Sequence, residues 1–130
     1  MGANERVNSW LKKLNEKRGE SFALDDDNKC KIFYKDGIVC NLEVVDIEGK
    51  FYLYSALAPV ESNSARMRRA LEANLFQLVT AGSVLAIDKG SDSYILSFVG
   101  VIDQFDADKF IERLCVFLAS SVDMRNLLLK

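Results

Sequence analysis

The stretch CKIFYKDGIVCNLEV, residues 30–44, decides the fold. Cys30, Ile32 and Tyr34 alternate with Lys31 and Phe33, and Ile38, Cys40, Leu42 and Val44 alternate with Val39, Asn41 and Glu43. That twofold period is the mark of half-buried strands. Between the two runs stands Lys35-Asp36-Gly37, a turn. A three-residue loop with Gly37 in the left-handed region pairs residue 34 with 38 and gathers all seven of the alternating residues on one face. A two-residue loop would scramble the faces, so the hydrophobic pattern selects the longer one.

Downstream, Glu48-Gly49 reads as a two-residue turn pairing Ile47 with Lys50, which adds Phe51, Leu53 and Leu57 to the same inner face. Pro59 closes this third strand. Ser62, Asn63 and Ser64 then offer helix caps, and Met67, Ala70, Leu71, Asn74, Leu75 and Leu78 trace one face of a helix ended by Gly82. A short strand over Val84–Asp88 leads through Lys89-Gly90-Ser91-Asp92 into Tyr94–Ile102. The latter is so continuously apolar that both its faces are expected to be covered.

Asp106 caps a third helix, with Phe105 and Phe110 at the staple positions and Phe110, Ile111, Leu114, Phe117 and Leu118 as its buried stripe. The tail at Leu127–Leu129 either extends this helix or forms another short one. Upstream of the hairpin, Val7, Trp10, Leu11 and Leu14 fall at helical spacing, and Lys17, Arg18 and Gly19 supply the stop of a helix over about residues 4–18. The order is α-β-β-β-α-β-β-α. It predicts an α+β fold with a twisted, mainly antiparallel sheet packed by helices, in a single domain over residues 1–130.

Composition narrows the function. Of 130 residues 49% are apolar and 28% charged, the net charge is −2, and there is no histidine. The missing histidines remove Ser-His-Asp triads, imidazole bases and His-ligated metals together. Cys30, Cys40 and Cys115 form no CxxC pair and read as buried thiols of a reducing compartment. No stretch approaches the ~20 apolar residues of a membrane span, and MGANERVNSW has no apolar signal core, so a cytosolic protein is expected.

Individual candidates for chemistry are weak. Asp25, Asp26 and Asp27 suggest a calcium loop, but Lys29 and Cys30 stand where it needs an oxygen ligand and glycine. Glu43 alternates outward, and Glu72 sits four residues after Arg68 as an exposed helical pair. Arg66, Arg68 and Arg69 read as a solvated helix start, too narrow a patch for nucleic acid. Cys30 and Cys40 come out as diagonal neighbours, typically ~7–8 Å apart, beyond an unstrained disulfide. No catalytic, metal or cofactor site emerges.

Surface stands out instead. The outer face of the meander carries Phe33, Val39, Val45, Tyr52 and Tyr54. A face meant only for water should be more polar, so either another part of the chain covers it or a partner does. In the second helix Asn74 interrupts the apolar stripe and needs a hydrogen-bond partner, from a symmetric helix contact or a nearby backbone group.

The run Leu71-Glu72-Ala73-Asn74-Leu75-Phe76, followed by a Gly-containing turn and two strands, resembles the core of type III secretion chaperones of the Tir-chaperone type, the class I effector chaperones. The first helix, the Cys30-to-Leu42 hairpin and the Asp106-capped helix fall where that family has them. The resemblance implies a homodimer of the bacterial cytoplasm, without enzymatic activity or cofactor. It implies binding of the amino-terminal segment of a secreted effector protein, kept soluble and export-competent, with no nucleic acid and no membrane insertion. By the same resemblance Leu71, Asn74, Leu75 and Leu78 belong to the dimer interface, and Phe33, Val39, Val45, Tyr52 and Tyr54 receive the effector. The alternative from pattern alone is a small-molecule-binding or sensory α+β domain with a pocket between sheet and helices.

Overall fold

A computed structural model describes residues 2–130. The chain folds as α1 (Ala3–Arg18), β1 (Lys29–Phe33), β2 (Val39–Val45), β3 (Lys50–Pro59), α2 (Ser64–Ala73), β4 (Val84–Asp88), β5 (Ser93–Val101) and α3 (Ala107–Leu128). The strands form one antiparallel sheet in the order β1-β2-β3-β5-β4. The expected α-β-β-β-α-β-β-α order is the observed one, and the tail after Leu118 extends α3 rather than starting another helix.

The first hairpin has the expected register. Cys30 lies opposite Leu42 and Ile32 opposite Cys40, with Asp36 and Gly37 both at positive φ in the turn. The second hairpin differs. Val45, not Ile47, pairs with Lys50, because Asp46–Glu48 form a 3-10 turn closed by Gly49 in the left-handed region. The loop thus has four residues rather than two. A shift of two preserves parity, so Phe51, Leu53 and Leu57 still face inward.

Both long helices cover that inner face. In α1, Val7, Trp10, Leu11 and Leu14 are buried, and Gly19 ends the helix at positive φ with its N–H on the Asn15 carbonyl. In α3 the Asp106 carboxylate accepts the Lys109 N–H at 2.8 Å, and Phe110, Leu114, Phe117 and Leu118 are buried. The centre is aromatic. The Phe51 ring meets Trp10 at 6.1 Å, Phe110 at 5.4 Å and Phe105 at 5.0 Å, each near edge-on, and Trp10 meets Phe110 at 5.3 Å. Burying each such ring contributes on the order of 2–3 kcal/mol. Gly100, directly across from Phe51 on β5, leaves the ring its space.

Three expectations need correction. The second helix stops at Ala73 instead of running to Gly82: a short 3-10 turn, Leu75–Gln77, follows, with Phe76 and Gln77 at positive φ. Strand β5 is covered on one face only, since Val99 and Val101 are exposed. Arg66 is no solvated helix start. It is buried, and its guanidinium donates to the carbonyls of Leu128 and Pro59, both at 2.9 Å, so α2 is pinned to the end of α3. Arg69 donates to the same Leu128 carbonyl at 3.0 Å.

Candidate functional site

Antiparallel register decides what the outer face of the sheet presents, because directly paired residues share a side. One row runs Lys31–Asn41–Tyr54–Ser97–Val84 across all five strands, and beside it lies Lys29–Glu43–Tyr52–Val99. Two further lines pair Phe33 with Val39, and Val45 with Lys50 and Val101. Phe33, Val39, Val45, Tyr52 and Tyr54 therefore stand on one face. No described element packs over it: Phe33 is 69% exposed, and the other four are partly exposed.

The two tyrosines shape this face. A shallow hollow of about 270 Å³ lies among Glu43, Val45, Tyr52 and Tyr54, and a second of about 390 Å³ is bounded by Tyr54, Ala86, Ile87, Asp88 and Ile95. Tyr54 is the wall they share. The Tyr52 hydroxyl donates to Glu48 Oε2 at 3.1 Å, and this bond to a carboxylate raises the phenol's pKa above its usual value. At the far rim, Asp88 is held below the usual carboxylate range by the Ser91 hydroxyl at 2.7 Å and then by the Gly90 N–H.

Val84, Ile95, Val99 and Val101 also belong to this face and were missed in the sequence. The signal was present: within β5, Tyr94, Leu96 and Phe98 alternate with Ile95, Ser97 and Val99. It was masked because both alternating sets are mostly apolar.

The second surface follows α2. Leu71 is 74% exposed, Leu75 64%, Phe76 80% and Leu78 77%, and Val79 and Ile87 are exposed beside them. Their shared prominence does not come from one helical face, since the helix ends at Ala73. It comes from a turn in which Phe76, Gln77 and Ala81 all adopt left-handed backbone, at roughly 1–3 kcal/mol of strain each. Asn74 stands apart from its three partners in the expected set. Its amide accepts the Leu85 N–H and donates to the Leu85 carbonyl, both at 2.7 Å. Of the two partners open to it, Asn74 uses the nearby backbone group.

Between α2 and β4 opens an apolar pocket of about 270 Å³, lined chiefly by Met67, Ala70, Leu71, Leu85, Ile87 and Tyr94. Tyr94 is buried, and its hydroxyl has no hydrogen-bond partner among the described residues. The thiols lie elsewhere. Cys30 and Cys40 are buried free thiols on the inner face of the first hairpin, and burial pushes the Cys40 thiol up to about 12. Cys115 is only half-buried, against the expectation of three buried thiols, and receives a hydrogen bond from Arg18 at 3.2 Å.

Three helices packed on one face of a five-stranded antiparallel sheet make the fold of type III secretion chaperones. The chain belongs to the Tir chaperone protein (CesT) family, whose pattern it matches over residues 9–125. Among solved structures, the ExsC–ExsE complex superimposes with a TM-score of 0.84 at 15% identity, covering 98% of this chain and 97% of that one. The HopA1–SchA chaperone–effector complex gives 0.80 at 16% identity, over 95% and 96% of the two chains. The heterodimeric ExoU–SpcU complex of the Pseudomonas aeruginosa type III secretion system gives 0.71 at 18%, over 93% and 96%. No curated protein matches the chain by sequence.

Proposed function

We propose that this chain is a type III secretion chaperone that binds the amino-terminal, chaperone-binding segment of a secreted effector in the bacterial cytoplasm. It keeps that segment soluble and competent for export. The chain acts as a single domain over residues 1–130, works as a homodimer and turns nothing over. Membership of the Tir chaperone family supports the reading most strongly.

The open outer face gives it physical content. A segment without its own core docks apolar side chains into shallow hollows, and its ordering cost must be offset by a large contact area. Phe33, Val39, Val45, Tyr52 and Tyr54 are the candidate effector contacts, extended by Val99 and Val101 on the same face. Leu71, Leu75 and Leu78 are candidate dimer contacts, with Asn74 acting from behind by holding β4. No helix among the described residues is long and apolar enough to cross a membrane.

A tagged pull-down from the native host's cytoplasm tests the reading. The expected result is two copies of this chain with one secreted protein, lost when about 100 amino-terminal residues of that protein are deleted, a length suited to a wrapping segment. Recovery of the chain alone, or with a small molecule, would move a ligand-sensing domain to first place.

A further inference from the structure

We infer that the hollow among Glu43, Val45, Tyr52 and Tyr54 on the outer face of the sheet takes an arginine side chain of the bound segment. The inference rests on the effector reading proposed above and names a residue type that the segment carries at this point.

The hollow joins aromatic rings to a carboxylate. Glu43 and Tyr52 are direct cross-strand partners, and Tyr54 follows on the same side of β3. A guanidinium lies flat on a tyrosine ring while its fork meets a carboxylate, a combination the compact ammonium of lysine does not match. Val45 offers apolar surface to the methylene stem of such a side chain. Glu48 accepts the Tyr52 hydroxyl at 3.1 Å, which restrains the ring and sets a second negative charge beside the hollow.

Charge singles out the occupant. No lysine or arginine lines this hollow or its neighbour across Tyr54, whose rim holds Asp88. Among the described residues neither Glu43 nor Asp88 enters an ion pair, although Lys29 stands directly across from Glu43 on β1. An apolar side chain lodged here would strip water from Glu43 and give it no partner, and an acidic one would be repelled. An arginine supplies the missing charge and its donors together. The Tyr54 ring is a floor for the guanidinium, so its loss weakens binding whatever replaces it.

The test titrates the full chain with three short synthetic peptides of serine, leucine and valine that differ only in a central arginine, citrulline or glutamate. The ring resonances of Tyr52 and Tyr54 report binding. The arginine peptide is expected to shift both rings and to bind about fivefold more tightly than its neutral citrulline isostere, the size of an exposed ion pair with a ring contact. That preference should shrink with added salt and vanish in Glu43→Gln, and Glu43→Lys should favour the glutamate peptide. Equal binding of the arginine and citrulline peptides, no binding of either, or a preference that survives Glu43→Gln overturns the inference. A change of molecular mass in Glu43→Gln would give the face to a second copy and overturn it too. The pull-down separates the two readings: a secreted protein captured equally by wild type and Glu43→Lys removes the arginine site and leaves the chaperone reading standing. An arginine preference without any captured protein does the reverse.

Discussion

The side-chain amide of Asn74 grips the backbone of Leu85 from both ends, accepting from its N–H and donating to its carbonyl, each at 2.7 Å. β4 is an edge strand, and this pair imitates one rung of a ladder on its open side. Asn74→Ala would strand two backbone groups of a buried residue. The expected loss is about 1–3 kcal/mol, or a melting temperature lower by roughly 3–10 °C. Asn74→Asp should not rescue it, because a carboxylate cannot donate to the Leu85 carbonyl. Thermal melts and hydrogen exchange at the Leu85 amide would read the effect; an unchanged melt would mean the pair contributes nothing.

A methyl group at Gly100 would fall 2.3 Å from two ring carbons of Phe51, its cross-strand partner. Gly100→Ala is therefore expected to cost about 1–3 kcal/mol through overpacking of the aromatic centre. Phe51→Leu in the same chain should return part of that loss. Urea denaturation of both single variants and the double variant measures the coupling, and purely additive losses would show that the ring has room to move.

Burial holds the Cys40 thiol at about 12, against an ordinary value of 9.0. The folded chain keeps a proton that the unfolded chain releases. The contribution to stability is complete below pH 9 and is lost as pH rises from 9 towards 12. Wild type should thus lose stability faster than Cys40→Val over that window. Parallel pH dependences would place the thiol in a wetter site than its burial indicates. Thiol labelling of the native chain should meanwhile modify half-buried Cys115 ahead of Cys30 and Cys40.

Tyr54 divides the two hollows of the outer face, so Tyr54→Glu places a charge against both. Binding of the effector's amino-terminal segment, followed by calorimetry, should weaken about tenfold or more while the proposed homodimer persists. Val99→Lys, on the neighbouring row, should act in the same direction. Normal binding by both variants would move the effector to another surface.

What could be read in the sequence depended on which physical signal each element carries. Parity carried the meander: mispairing Ile47 with Lys50 by two residues left every side chain on its proper face. Helical periodicity failed beyond Ala73, because Leu75 and Leu78 keep the spacing of a helix while Asn74 finds a better partner in Leu85. A hydrogen bond between residues eleven apart leaves no trace in periodicity. Arg66 was illegible for a related reason. Its acceptors, Pro59 and Leu128, are backbone carbonyls, which any sequence possesses. The outer face was half legible: its β2 and β3 members stand out among polar neighbours, whereas Val99 and Val101 are lost in a strand apolar on both sides.

Trp10 on α1 packs against Phe110 on α3, and Lys13 reaches Asp108 at 2.9 Å. Their meeting has a cost in time. As the chain leaves the ribosome, Trp10 emerges about a hundred residues ahead of the ring that covers it, a wait on the order of 5–20 s at ordinary rates of synthesis. For the latter part of that interval the first helix has only the sheet to lie on, with Trp10 against Phe51, and the side that α3 covers stays open. Translation that halts before α3 would release a sticky fragment rather than a smaller working protein, so completion of this fold waits on the codons of one long helix, Ala107–Leu128.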